Sequence, residues 1–194
     1  MMRDDEARDR ILDRIRAALE GRETLPHPGG LPACRDCPDP VDRFAEVFEA
    51  NGGETVRFES QESAREWLAS FAEEFATMAP GVGVPGPLLA DLPAAAPEEA
   101  AFGISMARGG AGETGSLLLD SRQGRRGQIL PPVHLIWVRE RDIHPTLGEL
   151  LESVKEELPS ALALHSGPSK SADIGQVTVR GVHGPRRVVA AILP

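Results

Sequence analysis

Tyrosine is missing from this chain, and Phe and Trp together supply only 4% of its 194 residues. A surface that stacks nucleic-acid bases needs aromatic side chains, so such a platform is not expected. Basic residues are also in deficit: 21 Lys and Arg face 30 Asp and Glu, for a net charge of −9. A general nucleic-acid or anionic-membrane surface rewards clustered cations, which argues against both partners. A local anion pocket stays possible. No apolar run reaches the ~18 residues that cross a bilayer. The opening MMRDDEARDRILDRIRAAL is too charged for a secretory leader, so a cytoplasmic protein is expected. Cysteine occurs twice, at Cys34 and Cys37, too few for a disulfide framework or a four-cysteine iron–sulfur cluster. Their CxxC spacing suits a redox pair or half a zinc site, with His27 as a non-diagnostic third ligand. The pair sits in a Pro-rich loop and not at a helix start, so a free thiol pair is the preferred reading and no metal site is expected.

What the chain does carry is alternation of helix and strand patterns. Residues 3–20 show apolar positions at helical spacing (Ile11, Leu12, Ile15, Ala18, Leu19), stopped at Gly21. Residues 22–40 are rich in proline and lack a period, which predicts a loop. Val41, Phe44, Val47 and Phe48 form the next helical face, closed by Asn51-Gly52-Gly53, and residues 54–58 alternate as a strand. Ser60 or Ser63 can cap a helix carrying Trp67, Leu68, Phe71 and Phe75. Strands are expected at 81–84, 115–119, 135–138, 161–164, 177–179 and in the final VVAAIL, with a hairpin-like polar turn at SRQGRRGQ and a helix over 146–158. The expected organisation is an N-terminal helix and loop over 1–40, then one α/β domain over 41–194 with a mainly parallel sheet. Ligands in such sheets sit outside the carboxyl ends of strands, so the polar loops after Leu119, Val138 and Leu164 become candidates.

Three polar stretches could carry chemistry. In GGAGETGS, glycines allow close backbone approach to a ligand at Gly112, Thr114 and Gly115, and Glu113 could be a nucleophile, base or orienting group. A flexible turn with a solvated Glu is the plainer alternative. In LPPVH, His134 could shuttle protons or could simply be bonded to backbone at a strand start. In HSGPSKSADI and GVHGP, the hydroxyls of Ser166 and Ser169, the Lys170 charge, Asp173 near a helix start, His183 and the open backbone of Gly167 and Gly184 suit a phosphate or carboxylate. Two ordinary turns would look the same. The expectation is one pocket built from the 112–116, 131–134, 166–173 and 181–185 segments, with Glu113, His134 and His183 as its catalytic candidates.

GETGSLLLDS (112–121), ILPPVHLIWV (129–138), SGPSKSADI (166–174) and RGVHGPRRVVAAIL (180–193) together resemble the lactate-utilisation (LUD) domain family, in order and spacing as well as in words. The resemblance implies a three-layer α/β/α sandwich with a mainly parallel sheet, like ribose-5-phosphate isomerase and the CoA transferases. It further implies a role in oxidising L-lactate to pyruvate beside iron–sulfur partner subunits, which would hold the clusters while this chain binds no cofactor of its own. Arg108 stands where the family commonly has an acidic residue, and Gly175 where an acid or amide is common.

Three functions are therefore in view. The first is an accessory subunit of an L-lactate-oxidising system, with a pocket for a small carboxylate or phosphate. The second is a stand-alone enzyme on a sugar phosphate or acyl-CoA, and here Glu113-Thr114-Gly115 loosely resembles the catalytic Glu-x-Gly turn of CoA transferases. The third is a carboxylate-sensing binding module.

Overall fold

A computed structural model describes residues 2–22, 39–172 and 178–194. The chain divides into two compact units, Met1–Leu31 and Pro32–Pro194. In the first unit, helix α1 (Met2–Leu19) ends before Gly21, whose φ of +74° no other residue adopts cheaply. Its apolar stripe of Ile11, Ile15 and Leu19 is exposed.

The second unit starts with α2 (Pro40–Ala50), which Asp39 caps by accepting from the Val41 and Asp42 amides. In chain order follow β1 (Glu54–Arg57), α3 (Gln61–Ala72), β2 (Met78–Pro80), β3 (Phe102–Met106), β4 (Gly109–Ala111) and β5 (Ser116–Asp120). Next come α4 (Arg125–Ile129), β6 (Val133–Arg139), β7 (Ile143–His144), α5 (Leu147–Ser153), β8 (Leu162–His165), β9 (Lys170–Ala172), β10 (Thr178–Arg180) and β11 (Arg187–Leu193). Five strands form a wholly parallel central sheet in the order β1-β11-β6-β3-β2. A second, mixed sheet runs β7-β4-β5-β8, and β9 and β10 form an antiparallel pair.

Strand alternation divides the core. Leu135 and Trp137 of β6 point to the α3 side, where Phe58, Leu68, Phe71 and Phe102 join them. Ile136 and Val138 point the other way, against Phe44 and Phe48 of α2 and Leu117 and Leu119 of β5. Each fully buried side chain of this size contributes roughly 1.5–3 kcal/mol relative to exposure. The few aromatics are thus concentrated: six of the eight meet on the α3 side, including Trp67 stacked on Phe71 at 4.9 Å. Trp137 keeps its indole N–H satisfied by donating to the Leu88 carbonyl at 3.0 Å. The outer face of the mixed sheet is covered by α5, through Leu118, Leu150 and Val154. The architecture is an α/β sandwich around a parallel sheet, as expected.

Several local expectations need correction. Residues 81–84 form no strand; the edge strand is β2, three residues earlier, and Gly81 instead donates to the Ile104 carbonyl. SRQGRRGQ is no hairpin turn: it folds as a 3₁₀ turn (Ser121–Gln123) followed by α4, because the strands it joins, β5 and β6, lie in different sheets. The helix expected over 146–158 stops at Ser153 and ends in a 3₁₀ turn. Strands β3, β4, β7 and β9 were not foreseen; β4 is glycine-rich and β7 has two residues, so neither shows a period.

Candidate functional site

The four segments singled out in the sequence all reach the amino-terminal edge of the central sheet. Pro131-Pro132 lead into β6, and the Pro132 carbonyl accepts from the Arg186 amide at 2.8 Å, which fixes the entry to β11. The Ser169 amide donates to the Pro185 carbonyl at 2.9 Å, and the Gly181 amide donates to the Ser169 carbonyl at 2.9 Å. These bonds hold the 166–169 and 181–185 turns face to face.

Between them lies a pocket of about 210 Å³ whose polar lining is His165, Ser166, Ser169 and His183, with Gly167 and Gly184 beside them. Ile129 and Leu164 give it an apolar rim, and both are partly exposed. Gly167 adopts φ +112°, which lets this turn pass against the Asn51 carbonyl. Ser166 shares a hydrogen bond of 2.6 Å with Ser116, the first residue of β5.

A histidine pair joins the pocket to the core: half-buried His165 lines the pocket, and His134 lies beyond it. The His165 ring packs edge-on against His134, with ring centroids 5.4 Å apart. His134 is wholly buried, and its Nε2 shares a hydrogen bond of 2.8 Å with the Ser105 hydroxyl. Its Nδ1 has no hydrogen-bond partner among the described residues. Burial drives the His134 pKa well below the ordinary 6.5, and the His165 ring adds to the effect. Burial lowers His165 as well. Both rings are therefore neutral near pH 7, and neutral imidazole can accept a proton or a hydrogen bond.

The other candidates are placed differently. The Glu113 carboxylate accepts from the Leu147 amide at 2.7 Å, in the first turn of α5, where an acid is favoured by the exposed N–H groups. Gly112 donates to the His144 carbonyl, and a Cβ there would stand 2.9 Å from the Pro40 carbonyl oxygen. Thr114 accepts from the Asn51 side chain at 3.5 Å, and its buried hydroxyl has no partner among the described residues. Gly115 packs on the backbone of Val47 and Phe48. Lys170 turns to the Asn51 carbonyl. Glu113, Gly112, Thr114, Gly115 and Lys170 thus brace α2 and α5 and do not line the pocket. Asp173, His27, Cys34 and Cys37 lie outside the described residues. Among the described residues, no group of three His, Cys, Asp or Glu is arranged to hold a metal ion.

Sequence reasoning gave no role to His165, Ser105 or Ser116. Ser105 could have been found by alternation, since it falls on the same face of β3 as Gly103, opposite Phe102 and Ile104. Of the three candidate loops, those after Leu119 and Val138 lie at the carboxyl edge of the central sheet. The loop after Leu164 lies at the amino edge, because β8 runs antiparallel to β5.

Residues 96–193 match the LUD domain. The chain belongs to the LUD domain family. That match includes all four motifs and the whole histidine pocket. Among curated relatives, the LUD chain is 43% identical over 88 residues to lactate utilization protein C of Deinococcus radiodurans, covering 42% of this chain and 41% of that one. It is 36% identical over 104 residues to the protein YkgG of Escherichia coli, covering 50% and 45%. The chain thus spans less than half the length of these relatives. A crystal structure of a DUF162 family protein from Deinococcus radiodurans has the same fold, with a TM-score of 0.60 at 21% identity, covering 80% of this LUD chain and 96% of that one.

Proposed function

We propose that this chain works in lactate utilisation, as an accessory subunit of a system that oxidises L-lactate to pyruvate. The observation that carries the reading is its likeness to several proteins named lactate utilization protein C, at 31–43% identity over 88–106 residues. Oxidation of lactate removes two electrons and two protons. In this reading the electrons pass to iron–sulfur partner proteins, and the pocket holds a small carboxylate or phosphate.

The pocket's chemistry is compatible with that role. The hydroxyls of Ser166 and Ser169 can donate to a carboxylate, and the neutral His165 imidazole can take a proton. The pocket's volume suits a molecule of a few heavy atoms. Deletion of the gene tests the reading through growth on L-lactate as sole carbon source. Loss of growth, restored by the gene in trans, is the expected result; normal growth with normal lactate-dependent respiration overturns it. Binding of L-lactate by the purified protein, together with normal growth of the deletion strain, would shift the reading to a carboxylate sensor.

A further inference from the structure

A second cleft, of about 560 Å³, opens at the opposite edge of the central sheet, outside the carboxyl ends of β2, β3 and β6. Its two sides differ in character. Val82, Pro85, Met106 and Ala107 supply apolar surface, while Arg108, Arg122 and Arg139 bring three guanidinium groups against two carboxylates, Asp120 and Asp142. A third carboxylate, Glu157, lies 3.3 Å from Arg108, so the three guanidinium groups are concentrated here within a balanced set of charges.

The two aspartates are not equivalent. Asp120 is buried and already engaged: its oxygens accept from Arg122 Nε at 2.8 Å and from the Arg122 amide at 2.7 Å, with Arg108 at 3.4 Å. Arg122 holds this carboxyl below its usual pKa range, so Asp120 stays ionised and orients both arginines. Arg139 is different. Its guanidinium forms a loose ion pair with Asp142 at 4.0 Å, beyond hydrogen-bonding range, and among the described residues its side chain makes no hydrogen bond. It lines the cleft with its donors unspent on hydrogen bonds.

The frame around these groups is stiff. The Gln123 side chain accepts from the Met106 amide and donates to the Met106 carbonyl, extending β3 sideways. The Val82 amide donates to the Gln123 carbonyl at 3.1 Å, which ties the apolar side to the same turn. Side chains held this way lose little freedom when a ligand arrives.

We propose that this cleft binds a phosphorylated organic molecule of nucleotide size. Its phosphate would be held by Arg139 and Arg122, and its body would lie on Val82, Pro85 and Met106. Converging planar guanidinium groups match a phosphate's several oxygens. The volume falls within the range of cofactor-sized sites and is far larger than a three-carbon acid needs. The proposal does not rest on the lactate reading, and either can fail alone.

Isothermal titration at low salt tests it, with ADP and inorganic phosphate as probes. The expected result is one ADP site that weakens as salt is added. Its dissociation constant rises about tenfold or more in Arg139→Gln, the effect of losing a charge-assisted contact. Val82 is 66% exposed, so Val82→Asp leaves the core intact while placing an anion against the ligand, and it weakens ADP similarly. Melting temperatures of both variants should match the parent protein. Absence of ADP binding, or ADP binding unchanged in both variants, overturns the proposal. So does inorganic phosphate binding as tightly as ADP, because the organic body then contributes nothing.

Discussion

His134 shows how a single residue couples burial to pH. An unfolded chain protonates this imidazole near pH 6.5, whereas the folded protein resists the charge until well below that value. Below pH 6.5 the unfolded state therefore binds more protons, and stability must fall as pH falls. His165, lowered by burial too, adds to the same slope. Urea denaturation between about pH 7.5 and about pH 5 reads the effect directly. His134→Gln should lose less stability across that interval than the parent; an identical slope in the two proteins would place the proton uptake elsewhere. The histidine itself was legible in LPPVH, but its neighbours were not. His134 meets Ser105 and His165 from strands 29 and 31 positions away in the chain. No local pattern encodes such a meeting. Glu113 illustrates the converse: its motif stands out in the sequence, yet its carboxylate is bonded at the start of α5.

At the level of elements, the turn from β4 to β5 depends on one backbone conformation. Gly115 has φ +57°, and a Cβ there would stand 2.5 Å from the Phe48 amide nitrogen. Gly115→Ala should therefore destabilise the fold by about 1–3 kcal/mol, through strain and the forced retreat of α2. Urea midpoints with an unchanged slope would show it; a neutral substitution would mean that α2 moves at no cost. Elements with strong periodic signals were readable, among them α2, α3 and β6, because burying one face imposes its period on the residues. Short pieces were not. The strands β4 and β7 exist because neighbouring strands supply their hydrogen bonds, and Arg125–Ile129 is helical although its sequence looks like a turn.

For the whole molecule, the parallel sheet separates two chemistries. The amino edge gathers histidines and hydroxyls; the carboxyl edge gathers arginines, with the packed core of β3, β6 and β11 between them. Distant lesions without shared partners act additively. His165→Asn should weaken binding of L-lactate while leaving ADP affinity unchanged, and Arg139→Gln should do the reverse. Titration of the double variant would then equal the sum of the single effects, and a coupling energy above about 0.5 kcal/mol would show that the edges communicate. The sequence by itself determined the fold class and the family, because periodicity and motif order are local properties of the chain. Only the tertiary structure decided which side chains share a pocket. It turned Glu113 and Lys170 to structural partners, set His165 against His134, and assembled Arg108, Arg122 and Arg139 from three separate strand ends. Such meetings depend on strand direction and sheet order, which are set by long-range pairing and leave no trace in neighbouring residues.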